Sequence, residues 1–524
     1  WVCIMERTRN PSLITHCNGP LIVYGSTNKK LKKDMDVDGG IEVNEEYNSE
    51  DLSIRMRNNN VCISSKIKRN VYYFHDSEGI VFSTSFRHLF KVLKRIGKIK
   101  NNDINNDVLM FYLLYGAVTR KKTLINKVFR TEPFSSLEIT NKDTSTSYNF
   151  PPLTEWTRSL NDTVEVVYRT IENAIFSDLS HIKDEVAIPL SGGVDSGILA
   201  YFAKELGFKV KCYNIAFQGY YSEKEPAKTT AKSLDVPIET INISPEEFKP
   251  MYFEATRLLD EPSPRTAFMA TYPLFRNIAK DHKNNVVMGE GGDELFIGQT
   301  YKYWLWDQWK LLKFAKALSP VFSRFETIVP PLGKLQHLNK DYYTSLMYIR
   351  AHASPRDITK LLPDYDFDPI IKDQITNSPQ YEDKVQKESY IFTNELGRTW
   401  VMVDRNIADH FNLDLRTPFL RESVIQTFIN IPTNMKMHKK VCKYVVKEML
   451  RKCTVVPHTH TKVGFKHPVL LLKKDKEFVN HFKTMELGIK KLRSIARNVD
   501  QARSEFFTIC TSLLSWYENL CHIS

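Results

Sequence analysis

Two short stretches of the chain bring glycines, hydroxyls and carboxylates together in an order that suggests chemistry. In the first, the apolar run Val186-Ala187-Ile188-Pro189-Leu190 leads into Ser191-Gly192-Gly193-Val194-Asp195-Ser196, and a helical pattern follows from Ile198 to Leu206. A buried strand, a glycine turn and a helix N-terminus place several backbone N–H groups around one point, a nest suited to pyrophosphate. Adjacent glycines let the main chain approach an anion closely, and Ser191 and Ser196 can add hydroxyl donors. Asp195 would be repelled by bare phosphate, so it implies a bridging Mg²⁺. The spacing is not that of a Walker loop. The plain alternative is an ordinary strand–glycine–helix turn without a ligand. In the second stretch, Val286-Val287-Met288-Gly289-Glu290-Gly291-Gly292-Asp293-Glu294 again takes an apolar strand into an acidic glycine turn. Asp293 is the natural partner of Asp195, since carboxylates at neighbouring strand ends can hold metal against a triphosphate. Glu290 stands where a carboxylate can orient an amine or take its proton.

The first stretch resembles the PP-loop of enzymes that split ATP into AMP and pyrophosphate. The ordered pair resembles the synthetase domain of the asparagine synthetase family, a group that includes β-lactam synthetases and lasso-peptide macrolactam synthetases. The resemblance extends over roughly residues 110–470 and takes in Asp260-Glu261-Pro262-Ser263, Asp404-Arg405, Arg416-Thr417-Pro418-Phe419-Leu420 and Lys462-Val463-Gly464-Phe465. It implies a two-step reaction: a carboxylate attacks the α-phosphate of ATP, and an amine then displaces AMP to form an amide. On that pattern Ser191, Gly192, Gly193, Ser196 and Gly289 hold the nucleotide, with Ile215 and Phe217 where the family contacts adenine. Asp195 and Asp293 hold Mg²⁺, Glu290 serves the amine, and Lys462 stabilises charge in the adenylation transition state. His458 and His460 receive no role.

Two departures bear on substrate. Pro264-Arg265-Thr266 follows Ser263 where asparagine synthetases keep an acidic sequence, and Arg421 stands where an acidic residue is expected. Both point to an altered carboxylate pocket. Glu290 points the other way, because asparagine-forming members carry glutamate there and β-lactam-forming members tyrosine. Three readings stay open: an amide ligase of the asparagine synthetase type, an intramolecular lactam or macrolactam synthetase acting on a precursor peptide or modified amino acid, and a non-catalytic scaffold.

The elements that must position these residues alternate between residues 185 and 300. Strands are expected at 186–190, 209–217, 237–243 and 285–289, and helices at 197–206, 224–234 and 264–280. That alternation predicts an α/β domain with a doubly wound parallel sheet, ligands lying at the carboxyl ends of its strands. A helix from about Asp162 to Leu179 precedes it, and the reading from 301 onward is mainly helical. Residues 1–100 carry short alternating runs such as Leu21-Ile22-Val23-Tyr24 and Val71-Tyr72-Tyr73-Phe74, which predict a β-rich layer. The expected organisation is a degenerate, glutaminase-like β-rich domain (1–150), a PP-loop synthetase domain (160–470) and a basic helical extension (471–524).

Glutamine-using members of the family employ a cysteine at the mature N-terminus, whose α-amine serves as base. Here Cys3 follows Val2 and precedes Ile4, so active glutamine hydrolysis is not expected, although a start at Trp1 leaves room for missing upstream residues. At 524 residues with 42% hydrophobic content the chain can bury more than one core. Its eight cysteines lack CxxC or zinc-type spacing, and no apolar run reaches membrane-spanning length. A cytoplasmic location, reduced thiols and no membrane partner are the expectations. The net charge of +12 is concentrated in residues 431–524, which hold 18 Lys and Arg against 7 Asp and Glu. Solvated lysine-bearing helices account for this without nucleic acid. Oligomerisation stays open.

Overall fold

The computed structural model describes residues 2–5, 14–16, 21–24, 45–48, 52–57, 60–76, 79–140, 143–219, 223–263, 267–298, 337, 340–353, 355–359, 365–376, 398–439, 441–453 and 469–523. They divide into two compact units. Residues 1–109, 118–150 and 516–524 form one, and residues 110–117 and 151–515 form the other.

In the first unit two sheets stack. One is mixed: β1 (Val2–Met5), β2 (Ile14–His16), β3 (Leu21–Tyr24), β7 (Tyr72–Asp76), β8 (Gly79–Ser83) and β9 (Val128–Arg130), in the order β2-β3-β1-β8-β7-β9. The other is antiparallel: β4 (Glu45–Asn48), β5 (Leu52–Arg57), β6 (Asn60–Ser65), β10 (Ser135–Ile139) and β11 (Thr144–Tyr148), in the order β11-β10-β6-β5-β4. The alternation of side chains along β7 assigns the faces. Tyr73 joins Phe82, Ile54, Ile63 and Leu137 in the core between the sheets. Its neighbour Tyr72 meets Phe86 of α1 (Phe86–Arg95) edge-on at 5.5 Å.

The second unit is built on a parallel sheet of β12 (Val186–Pro189), β13 (Val210–Phe217), β14 (Ile238–Ile243), β15 (Asn285–Val287) and β16 (Asp414–Arg416), ordered β14-β13-β12-β15-β16. Val186, Ala187 and Ile188 are completely buried, as a central strand covered on both faces requires. The chain moves outward from β12 to β14 through α4 (Val194–Glu205) and α5 (Lys224–Ser233). It then returns across the sheet to β15 through α6 (Phe248–Thr256) and α7 (Phe268–Lys280). Because parallel crossovers are right-handed, this reversal places the two helix sets on opposite faces, which makes the sheet doubly wound as expected. The reversal occurs between β12 and β15, the two strands that lead into the glycine turns.

Before the sheet, α2 (Asn106–Tyr115) is followed by α3 (Leu160–Leu179), which starts where the Ser159 side chain accepts from the Asp162 N–H. It buries Val164, Val167, Ile171, Ile175 and Leu179 at helical spacing. Two elements were not foreseen, α6 and β16. The segment 471–524 is not set apart as an extension. The helix Ser504–Cys521 buries Phe507, Cys510, Leu513, Leu514 and Trp516. Its Ser512 hydroxyl accepts from the Ser263 N–H (3.0 Å) and donates to the Ser263 carbonyl (2.7 Å). Some of the basic charge there is used internally, as in the Lys483–Asp500 pair at 2.8 Å. Cys62, Cys212, Cys442, Cys453, Cys510 and Cys521 are free thiols. Among the described residues no helix is long and apolar enough to cross a membrane.

Candidate active site

The first turn follows β12 directly. Gly193 is the N-cap of α4, so the helix begins at Val194, three residues earlier than the sequence pattern suggests, and Asp195 and Ser196 lie in its first turn. Gly192 has φ +74°, and a Cβ there would lie 2.6 Å from Pro226 and 2.7 Å from the Ala227 nitrogen in the first turn of α5. Only glycine meets both conditions. The two serines hold the loop in shape. The Ser191 N–H donates to Ser196 Oγ (3.2 Å), the two hydroxyls lie 3.1 Å apart, and the Gly193 N–H donates to Ser191 Oγ (3.3 Å). Asn214 of β13, a buried residue that no local pattern singles out, donates its amide to the Leu190 carbonyl at 2.8 Å. The loop is thereby fixed from both the neighbouring strand and the following helix.

The second turn leaves β15 and lies against the first. A Cβ on Gly292 would sit 2.8 Å from Asp195 Cγ, and one on Gly289 would sit 3.2 Å from Asp195 Cβ. Gly291 is left-handed (φ +89°), and a Cβ on it would strike the Leu420 side chain at 2.4 Å. Phe419 and Leu420, from the Arg416–Leu420 signature, therefore form the floor on which this turn rests. Phe419 also meets Phe296 with ring centres 4.9 Å apart. Glu290 stands half-buried between Gly289 and Gly291. Asp293 lies in the first turn of the short helix α8 (Gly292–Leu295).

The two turns converge on one cation. Lys443 Nζ donates to Asp195 Oδ2 and lies 2.7 Å from Asp293 Oδ1. Burial opposes charge on this amine, but both carboxylates attract it and accept its hydrogen bonds, so it is held above the ordinary lysine range. Lys443 adopts a left-handed backbone (φ 56°) at the N-cap of the helix Tyr444–Lys452, and its N–H donates to the Ile297 carbonyl at 3.2 Å. Gly298 makes room for this arrangement, since a Cβ there would lie 2.1 Å from Asp293 Oδ1 and 2.7 Å from Lys443 Cε. A positive centre shared by both carboxylates shows that the pair fits a cation. Among the described residues no group of three or more His, Cys, Asp or Glu side chains could hold a metal. A Mg²⁺ ion here would complete its shell with phosphate oxygens and water, as this ion commonly does.

The other expected residues are placed as follows. Ile215 and Phe217 stand at the carboxyl end of β13, beside β12. Ile215 is half-buried, whereas Phe217 is buried against Phe248 at 5.5 Å between ring centres. Lys462, with His458, His460 and the Lys462–Phe465 motif, lies outside the described residues, as do Pro264, Arg265 and Thr266. Asp260 is held by Asn406, which accepts from its N–H (2.9 Å) and donates to its carboxylate (3.1 Å). The Asp404 carboxylate accepts from Thr271 at 2.8 Å. Arg421 is turned towards α3, where it pairs with buried Asp178 at 2.6 Å. Its substitution for an acidic residue therefore does not by itself describe a substrate pocket.

The model of the asparagine synthase family matches residues 169–482, more than half of the chain and the whole of the parallel sheet. No curated protein matches the sequence. Among solved structures, NMN synthetase from Francisella tularensis is similar at 14% identity, covering 49% of this chain and 96% of that one with a TM-score of 0.20. Both glycine turns, their carboxylates and the Phe419–Leu420 floor fall within the matched segment, and the chain belongs to the asparagine synthase family.

Proposed function

We propose that this chain is an ATP-dependent, AMP-forming amide ligase. The observation that carries the proposal is the convergence of Asp195 and Asp293, from separate glycine turns at the reversal point of the sheet, on one cation position. Such a site is suited to positioning and charge neutralisation, which in-line attack at phosphorus needs more than covalent help. Ser191, Gly192, Gly193 and Ser196 cradle the departing pyrophosphate at the N-terminus of α4. Asp195 and Asp293 hold Mg²⁺, which when bound draws charge from the polyphosphate. Ile215 borders the adenine side, and Gly289 leaves room beside Asp195.

The substrate carboxylate oxygen bonds to the α-phosphorus as the bond to pyrophosphate breaks. The amine nitrogen then bonds to the acyl carbon, AMP leaves, and the amine proton passes to Glu290. Lys443 stands at the phosphate end of this path, and Lys462 keeps its proposed role in stabilising charge in the adenylation transition state. Resemblance at Glu290 to asparagine-forming members favours a small amino-acid carboxylate, and Arg421, engaged with Asp178, no longer argues for a different one. Ammonia is the proposed amine source.

Purified protein with Mg-ATP is expected to release pyrophosphate with aspartate plus ammonia, and Asp195→Asn to abolish that release. Release without aspartate, supported instead by a peptide, would move the assignment to lactam formation. Full activity in Asp195→Asn would overturn the ligase site itself.

A further inference from the structure

The position between Asp195 and Asp293 is occupied by part of the chain. We propose that the Lys443 ammonium is a resident counter-ion that excludes the divalent metal until nucleotide draws it away, so that metal and nucleotide load as one coupled event. The inference rests on the assignment of Asp195 and Asp293 as the metal carboxylates and adds an order of events to it.

Three features carry it. Lys443 Nζ touches a carboxylate oxygen from each turn, Asp195 Oδ2 and Asp293 Oδ1, which are oxygens that a shared metal ion would use. A divalent ion and an ammonium cannot both take them, because two like charges would then lie at contact distance in a poorly solvated place. Secondly, the path of the lysine is built into the fold. Gly298 supplies the space beside Cε that any other residue would fill, and the Lys443 main chain is fixed by its bond to the Ile297 carbonyl. Ile297 itself is a β-branched residue held at φ 64°, a costly conformation that persists only where surrounding contacts impose it. Thirdly, a destination for the ammonium lies close by. Asp195 belongs to the first turn of α4, so polyphosphate bound at Ser191–Ser196 would lie beside the carboxylate that Lys443 now touches. The long, flexible lysine stem can transfer its charge to phosphate without moving its backbone.

The consequence is a reciprocal coupling between metal and nucleotide. Binding of Mn²⁺ to the full chain can be followed by the loss of its free-ion electron paramagnetic resonance signal, with and without an α,β-methylene ATP analogue. Wild-type protein is expected to bind Mn²⁺ weakly alone and roughly tenfold or more tightly with the analogue. Lys443→Met should bind Mn²⁺ without nucleotide roughly tenfold more tightly than wild type and gain less from the analogue. Lys443→Arg, which keeps the charge, should stay as weak as wild type.

Equal Mn²⁺ affinity of wild type and Lys443→Met without nucleotide, lost in both on Asp195→Asn, would refute the exclusion while leaving the metal assignment standing. Mn²⁺ binding by nucleotide-loaded wild type that is indifferent to Asp195→Asn would refute the metal assignment and the exclusion with it. Should Lys443→Met fail to fold by circular dichroism, the wild-type comparison still decides, because Mn²⁺ binding as tight without analogue as with it overturns the proposal.

Discussion

Gly292→Ala isolates the contact between the two glycine turns. A Cβ at this position would lie 2.8 Å from Asp195 Cγ, 2.9 Å from Oδ1 and 3.1 Å from Oδ2, whereas ordinary contact begins at 3.4 Å. The carboxylate must therefore retreat by about 0.6 Å, which exceeds the roughly 0.5 Å tolerance of a preorganised site. A 1 Å misplacement can cost about 100-fold in rate, so the expected loss is roughly 10- to 100-fold, or about 1.4–2.7 kcal/mol of transition-state stabilisation. Stability should move little, because Gly292 opens α8 with an ordinary backbone and alanine there loses less entropy on folding. The assay pairs the kcat/KM of pyrophosphate release with the thermal midpoint of the same preparation. Gly289→Ala, with contacts of 3.2 and 3.3 Å, should be milder. Gly298→Ala, with a contact of 2.1 Å to Asp293, should be more severe. Wild-type rates in Gly292→Ala, or a ranking that does not follow these distances, would show that the placement of the carboxylate is not what the reaction depends on.

Arg421→Ala should lower stability by about 3 kcal/mol, since it leaves the buried Asp178 carboxylate without its guanidinium, while the KM for the carboxylate substrate stays unchanged. A large KM shift at unchanged urea midpoint would return Arg421 to the pocket. His337 lies flat against Tyr348 with ring centres 4.0 Å apart, and burial, aided by Lys340, lowers its pKa to about 4. The folded chain keeps this imidazole neutral while the unfolded chain protonates it near 6.5, so stability is complete above that pH and falls as pH drops towards 4. The loss should approach about 2–3 kcal/mol and be absent in His337→Phe, as read from urea unfolding at successive pH values. Asp368 does not compete in this window. Burial raises its pKa, but the hydrogen bonds from Lys340 and Tyr348 more than offset this and hold it below the usual carboxylate range.

The parts of the site that could be read from sequence are those whose cause is local. A strand, a glycine turn and a helix start are adjacent in the chain, so β12, Ser191–Ser196 and α4 announce themselves, as does the turn after β15. Lys443 does not, because its carboxylate partner Asp195 lies 248 residues away and nothing in Cys442-Lys443-Tyr444 marks a left-handed lysine. The pairing of Arg421 is hidden for the same reason, its acidic partner Asp178 lying on α3. The three residues of β16 are too few to show periodicity. α6 was legible and overlooked. Ser244-Pro245-Glu246-Glu247 spells a capping box, with Ser244 and Glu247 satisfying each other's backbone N–H groups in the turn that leads into that helix.

The helix Ser504–Cys521 has a consequence for how the protein is made. Its residues up to Ser515 belong to the unit that carries the two glycine turns, and Trp516 onward belongs to the unit that contains the first strands. Chains fold as they emerge, N-terminal portions first. Here neither unit is complete until residues 504–524 have been synthesised, because Trp516 packs on Phe86, and Ser512 and Ser515 bond to Ser263 and Thr256. Contacts of such long range make folding slow and leave nascent chains with unfinished cores. Premature termination anywhere before this helix would therefore yield fragments fit for degradation rather than a folded unit. The cell would obtain the pair of converging glycine turns only from chains translated through that helix.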